Sequence, residues 1–278
     1  MFSIIIKLLD NIIKKMKKKI LITGAGSGIG KDTAFELCKR GHFVYATTET
    51  EEQAAELKIE AKQRNTQLEI FKLDITQASD RELVNSIDID VLISNAGIGE
   101  SGSIAEIAMA KVRNNFEVNV FSNFELSQIV LKKMFEKNTG TVIFISSLAG
   151  RIPMTFLGPY SMTKFALSSG AETMRKEIHR VRENVHISLV EPGGYHTGFN
   201  QKNIAKKYEW MDESSIFFPI LDKIKEEETR SFKLTENKNN KSIVRKIIKA
   251  SEAKKPRLRY AAPAWQAFGV WFLRALVK

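Results

Sequence analysis

Two side chains in this sequence could move a proton together. In Tyr160-Ser161-Met162-Thr163-Lys164 the tyrosine and lysine stand four residues apart, which makes them neighbours on one helix face. A phenol titrates near pH 10 in water and is a poor base at neutrality. An ammonium one turn away favours the phenolate and lowers that value. Tyr160 could then take a proton from an alcohol or give one to a carbonyl. A chance Tyr–Lys pair on a helix is the plain alternative. Upstream, Ile145-Ser146-Ser147 ends an apolar run with two hydroxyls able to hydrogen-bond a reacting oxygen.

A second constellation suits phosphate. Thr23-Gly24-Ala25-Gly26-Ser27-Gly28-Ile29-Gly30 joins an apolar run to a helical stretch over 31–40. Glycines permit a tight turn and let backbone N–H groups approach a pyrophosphate at the positive end of a helix. The spacing through Gly24, Gly28 and Gly30 is Gly-x-x-x-Gly-x-Gly, not Gly-x-Gly-x-x-Gly. No Gly-Lys-Ser/Thr follows, which excludes a P-loop.

The elements that must carry these groups are short Ile/Val-rich runs at 20–23, 43–47, 68–73, 91–94, 141–146, 186–190 and 257–261. Runs this apolar suit strands buried on both faces of a parallel sheet, and the gaps are long enough for helical crossovers. The expected fold is α/β, a Rossmann-type doubly wound parallel sheet of about seven strands with helices on both faces. Residues 198–241 break the rhythm with Phe199, Tyr208, Trp210, Phe217 and Phe218 among charges. An insertion there is expected to form a lid over the crevice at the strands' carboxyl ends, with 237–241 as a solvated loop. A helix is expected over 242–252. No repeat or linker divides the chain, so 17–262 reads as one domain. Residues 1–16 form a basic amphipathic extension and 263–278 a basic, apolar tail.

With these motifs in order, the chain resembles the classical short-chain dehydrogenase/reductase family. The resemblance covers about 17–200, and more weakly 242–261. The loop through Gly24, Ser27, Gly28, Ile29 and Gly30 matches that family's cofactor loop. Ser94-Asn95-Ala96-Gly97 matches its Asn-Asn-Ala-Gly motif, with Ser first. Asp74 matches the acid that contacts the adenine amine. Pro192-Gly193, with Tyr195 and Thr197, matches the stretch that holds the nicotinamide amide.

The resemblance implies an oxidoreductase that interconverts an alcohol and a carbonyl of a small molecule by hydride transfer with NAD or NADP. It implies Ser147, thirteen residues before Tyr160, as the catalytic serine, with Ser146 structural. Asn119 would complete a tetrad with Ser147, Tyr160 and Lys164, while Asn115 and Asn123 would be solvated or capping. Lys164 would also grip the nicotinamide ribose, and the cationic ring would help lower the Tyr160 pKa. Thr48 stands where NAD-preferring relatives often carry Asp, and Glu49 where many NADP-preferring ones carry Arg. Glu49, Glu51 and Glu52 would repel a 2′-phosphate, and Ser27 is not basic, so the balance tips to NAD. The same glutamates starting an exposed helix is the competing reading.

Composition narrows the partners. The chain has 278 residues, 43% hydrophobic and 27% charged, with one cysteine, Cys38, and four histidines. No disulfide framework or cysteine-rich metal site fits, and no metal is expected. Of the net charge of +11, most sits at the ends. Residues 1–20 carry six lysines against Asp10, and residues 253–278 carry six basic groups and no acid. The body between is neutral, so nucleic-acid binding is not expected.

The stripe Ile5, Leu8, Leu9, Ile12, Ile13 and Met16 leaves two readings: an artefact of start assignment, or an interfacial helix drawn to anionic lipid. The tail offers a second apolar contact, either to a membrane or to its own core or a sister subunit. The expected location is cytoplasmic, with membrane contact through the termini open, and the expected state a homo-oligomer. The apolar lid suggests a lipophilic substrate. The rivals are a nucleotide-binding scaffold or sensor without turnover, and a basic membrane- or nucleic-acid-binding module.

Overall fold

The computed structural model describes residues 17–276. The extension 1–16, with its expected helix, lies outside them. In chain order the elements are β1 (Lys19–Ile22), α1 (Gly28–Lys39), β2 (Phe43–Thr48), α2 (Glu51–Gln63), β3 (Glu69–Lys72), α3 (Ala78–Leu83), β4 (Val91–Ser94) and α4 (Met109–Phe116). Then follow α5 (Ser122–Lys137), β5 (Gly140–Ile145), α6 (Gly158–His179), β6 (Val185–Pro192), α7 (Phe199–Ala205) and α8 (Leu221–Thr235). The chain closes with α9 (Lys241–Glu252), β7 (Arg259–Ala262) and α10 (Ala264–Leu276).

Among the described residues the strands form one seven-stranded sheet, order β3-β2-β1-β4-β5-β6-β7, with every pairing parallel. This is the expected doubly wound sheet. Its two faces divide the apolar runs by strand alternation. Ile20 and Ile22 join one core with Ala34 and Leu37 of α1, Leu57 of α2 and Ile243 and Ile247 of α9. Leu21 joins the other, with Leu126 and Val130 of α5 and Leu167 and Ala171 of α6. The fully apolar strands thus reflect two covered faces rather than a lack of pattern.

Local signals place the helices. Thr50 caps α2 by accepting from the Gln53 N–H at 3.3 Å, and Glu51 and Glu52 complement the helix dipole in the first turn. Pro159 sits in the first turn of α6, where its missing N–H is harmless. The order reverses between β1 and β4, which opens a crevice at their carboxyl ends. The glycine loop and Asn95–Gly97 meet there.

The segment before α9 is not a plain loop. It holds two helices, α7 and α8, joined by turns at Lys206–Glu209 and Phe218–Ile220. The expected solvated loop is tethered at its start: Asn237 donates to the Gly194 carbonyl from its backbone at 3.0 Å and from Nδ2 at 2.8 Å. At its other end Asn240 Nδ2 donates to Asp32 at 2.6 Å.

Candidate active site

The phosphate end is built by backbone proximity. Thr23 Oγ1 accepts from the N–H groups of Asn95 and Ala96, both at 3.0 Å, and so ties the end of β4 to the loop. Asn95 Nδ2 donates to the carbonyls of Thr23 at 2.9 Å and Gly24 at 3.0 Å. Its amide therefore shapes the loop instead of reaching into the crevice. A Cβ added at Gly30 would lie 2.4 Å from the Gly24 carbonyl oxygen, so the loop folds back directly onto α1. Gly28 takes φ +55, and a Cβ there would meet Thr197 at 3.2 Å. The loop after β6 thereby sits against the loop after β1.

The start of α1 fits an anion. Ser27 makes no side-chain cap, and the first turn carries no acid, so the helix end keeps its positive pole uncompensated. Ile29 packs on the core, leaving its backbone to face the loop. These residues fit the phosphates of a dinucleotide. Thr48, Tyr195 and Asp74 make hydrogen bonds within the fold. Thr48 is fully buried and its hydroxyl donates to the Thr50 carbonyl at 2.9 Å, while Glu49 is exposed. The Tyr195 ring lies in the core with its hydroxyl 2.7 Å from Ser242 Oγ, so only its backbone remains available to a cofactor. Asp74 Oδ1 accepts from the Thr76 N–H at 2.9 Å and hydroxyl at 2.8 Å, fixing the turn after β3.

The other end of the crevice gathers the tetrad. Ser147 leaves β5, accepts from the Ala149 N–H at 3.1 Å, and acts on the Tyr160 phenol by pulling its pKa down. Its hydroxyl also lies 3.4 Å from the Pro192 carbonyl. Ser146 is buried, with its hydroxyl 2.7 Å from Ser168 Oγ, as a structural serine should be. Lys164 lies one turn beyond Tyr160, its Nζ 5.6 Å from the ring centroid and donating to the Ile145 carbonyl at 2.9 Å.

Asn119 lies in a π-helical turn, Glu117–Phe121, between α4 and α5. The extra residue in such a turn re-aims side chains and recurs at functional sites. Its Oδ1 accepts from the Ile98 N–H at 2.8 Å, and its Nδ2 donates to the Ile98 carbonyl at 2.8 Å and Thr163 Oγ1 at 3.0 Å. A Cβ added at Gly97 would lie 3.0 Å from Asn119 Oδ1 and 3.8 Å from Lys164 Nζ, so this glycine keeps the two close. Asn115 and Asn123 are not solvated caps. Both are buried: Asn115 Oδ1 accepts from Asn119 at 3.1 Å, and Asn123 Nδ2 donates to the Val118 carbonyl at 2.7 Å.

A buried acid, Glu191, was not among the expected residues. Arg151 Nε donates to it at 2.8 Å, and Arg259 bonds it too. This fastens the turn following Ser147 to β6 and β7. Nothing in spacing signals which acid meets which base across the sheet.

The profile of the family described as short chain dehydrogenase matches residues 18–208. This chain belongs to that family. It is 31% identical over 214 residues to 3-ketodihydrosphingosine reductase of Bacteroides thetaiotaomicron, covering 76% of this chain and 77% of the relative. NADPH-dependent 3-dehydrocapnine reductase of Ornithobacterium rhinotracheale is 29% identical, with 86% of each chain covered. A short-chain dehydrogenase/reductase from Burkholderia phymatum, solved in complex with NAD, superposes with a TM-score of 0.76 over 92% of each chain at 19% identity. The chain is therefore an NAD(P)-dependent oxidoreductase, and the silent-scaffold alternative loses its ground.

Electrostatics in this short-chain dehydrogenase differ from the simple expectation. Burial pushes the Tyr160 phenol up to about 12, against the hydrogen bond from Ser147 that pulls it down. Burial also pulls Lys164 down to about 8. Desolvation penalises both charges and outweighs the stabilisation expected from their spacing. The protein by itself thus holds Tyr160 as a proton donor.

The segment before α9 reaches Tyr160. Phe199, the first residue of α7, packs on the Tyr160 ring with centroids 5.9 Å apart. Asn203 is stitched to the loop after β4, its carbonyl accepting from Ser101 Oγ at 2.7 Å. Other lid aromatics serve its own packing: Phe217 meets Phe156 edge-on at 5.2 Å, and Tyr208 donates to Glu228 at 2.6 Å.

Proposed function

We propose that this enzyme interconverts a lipophilic ketone and its secondary alcohol, with Tyr160 as the proton-transferring acid and base. The observation that carries the reading is Tyr160 with Lys164 one turn away, Ser147 acting on its phenol and the Phe199 ring packed against it. A bound nicotinamide cofactor supplies or accepts the hydride. In reduction, Ser147 holds the carbonyl oxygen and steadies the charge that develops there. Tyr160 then gives its proton to that oxygen. Lys164 holds a positive charge beside the phenol, and Asn119 fixes the turn that keeps Gly97 close to it. Residues Gly24, Ser27, Gly28, Ile29, Gly30, Asn95, Ala96, Gly97, Pro192, Gly193 and Thr197 line the cofactor's path, chiefly through their backbone.

The two relatives named for 3-ketodihydrosphingosine and 3-dehydrocapnine reduction support a ketone on a lipid-like molecule. Assembly as a homo-oligomer in the cytoplasm, with membrane contact through the termini, belongs to the same reading. A series of straight-chain ketones tests the substrate class. The value of kcat/KM should rise about fourfold per methylene until the pocket is full, because each buried methylene contributes about 0.8 kcal/mol. A flat profile, or a preference for small sugars, would rule out the lipophilic class and leave the oxidoreductase standing.

The cofactor we favour is NAD. Glu49 is exposed directly after β2, and a carboxylate there repels a 2′-phosphate. Glu49→Arg should move the ratio of NADPH to NADH affinity at least tenfold towards NADPH, about 1.4 kcal/mol. Fluorescence titration with both reduced cofactors reads it, and an unchanged ratio would place Glu49 away from the ribose.

A further inference from the structure

The final helix, α10, is turned inside out. Its polar side chains face the protein: Gln266 accepts from the Gly194 N–H at 2.8 Å and donates to the Thr235 carbonyl at 2.6 Å. Arg274 donates to the Arg151 carbonyl at 2.8 Å. Its apolar side chains face away. Trp265, Phe268, Trp271, Phe272, Leu273 and Leu276 are each between 49% and 65% exposed, and the helix buries none of its residues. At 100° per residue, Phe268, Phe272, Trp265 and Leu276 form one stripe, widened by Trp271 and Leu273. No charged residue falls within that arc.

The exposed area of these six side chains is on the order of 600 Å². That is at the top of what a monomer leaves uncovered. It falls short of the roughly 800 Å² per partner of a stable, specific protein interface. Two tryptophans flanking phenylalanine and leucine suit the boundary between lipid headgroups and acyl chains. Residues 253–278 contain no acid, so no carboxylate on this segment opposes an anionic surface. A helix of thirteen residues is about 20 Å long and cannot span a bilayer of about 30 Å. No helix among the described residues is long and apolar enough to cross.

The position gives the face a use. α10 follows the carboxyl end of β7, the sheet end that carries the crevice. Through Gln266 it is bonded both to the loop after β6 and to the last residue of α8 in the lid.

We propose that the outward face of α10 lies in the surface of an anionic lipid bilayer and holds the mouth of the active site at the lipid boundary. The use assigned to this contact rests on the lipophilic-substrate reading; the contact itself does not. The full chain should co-sediment with vesicles of phosphatidylcholine and phosphatidylglycerol, and its tryptophan emission should shift to the blue on binding. Combining Phe268→Ser, Trp271→Ser and Phe272→Ser should weaken vesicle binding at least tenfold. The same variant should keep its affinity for reduced cofactor and its rate on a ketone dissolved in buffer, which shows that it is folded. Its rate on a ketone carried in the vesicles should fall about tenfold.

Wild-type protein that stays in the supernatant, or a triple variant that binds vesicles as well as wild type, would overturn the proposal. So would sedimentation velocity showing a wild-type dimer that the variant splits, without vesicle binding; the face would then belong to a second copy. Vesicle binding together with a flat ketone series in buffer would remove the lipophilic substrate and leave the docking face in place.

Discussion

Tyr160→Phe should lower kcat by about 10²–10⁴, the usual worth of a positioned proton donor, while the affinity for reduced cofactor changes less than twofold. The substitution deletes one oxygen and keeps the ring. Packing against Phe199 at 5.9 Å therefore survives, and the lid should sit as before. What disappears is the hydroxyl on which Ser147 acts and the proton it would deliver. Burial holds that hydroxyl protonated at neutral pH, with its pKa raised to about 12. Single-turnover kinetics with saturating cofactor separate the two effects. A variant that retained most of the wild-type rate would show that Tyr160 does not carry the proton.

Lys164→Met should also remove turnover, and it should make the protein more stable near neutral pH. The lysine is almost fully buried, and burial lowers its pKa from 10.5 to about 8. Below about pH 8 the group is charged both folded and unfolded, and the folded state bears the full desolvation cost. Between about 8 and 10.5 the unfolded chain holds the proton and the folded one does not, so that cost fades as pH rises. At pH 7 the cost is on the order of 3 kcal/mol. Loss of the bond to the Ile145 carbonyl offsets about 1 kcal/mol of the gain. Without cofactor, Tm should rise by about 4 °C at pH 7, and the gain should shrink towards nothing near pH 10. Calorimetry at both values checks it. A lower Tm for the variant at pH 7 would mean that the lysine's charge is well solvated in the fold. The conflict is one expected of a working site, where a costly buried charge is kept for its chemistry.

Much of the site was legible because its signals are local. The Tyr160–Lys164 spacing needs only a helix, and Pro159 starts that helix in the expected place. The glycine loop needs only a strand before it and a helix after it. Ser147, placed by its distance from Tyr160, is the serine that acts on the phenol, whereas Ser146 points into a buried pair with Ser168. The strands were legible because two covered faces demand unbroken apolar runs, and Ile20, Leu21 and Ile22 divide between those faces.

Other features depend on partners distant in the chain, which no local pattern encodes. Asn115, Asn119 and Asn123 look alike in sequence. A π turn and the approach of α6 decide that Asn119 meets Ile98 and Thr163 while its neighbours support it. Asn95 reads as a cofactor contact until β1 and β4 pair and place its amide on the glycine loop. Tyr195 follows Pro192-Gly193, yet α9 brings Ser242 to its hydroxyl and draws the ring into the core. Spacing alone also promised an acidic phenol, but the pocket's dryness outweighs the nearby ammonium. The parallel sheet, the glycine turn and the adjacency of Tyr160 and Lys164 were legible in the sequence because each rests on a periodicity or a short spacing. How Asn119 is held between Ile98 and Thr163, how Glu191 fastens the turn after Ser147, and which face of α10 meets the outside were not legible there. Those depend on hydrogen bonds and desolvation between segments tens of residues apart, whose energies exist only once the sheet has assembled.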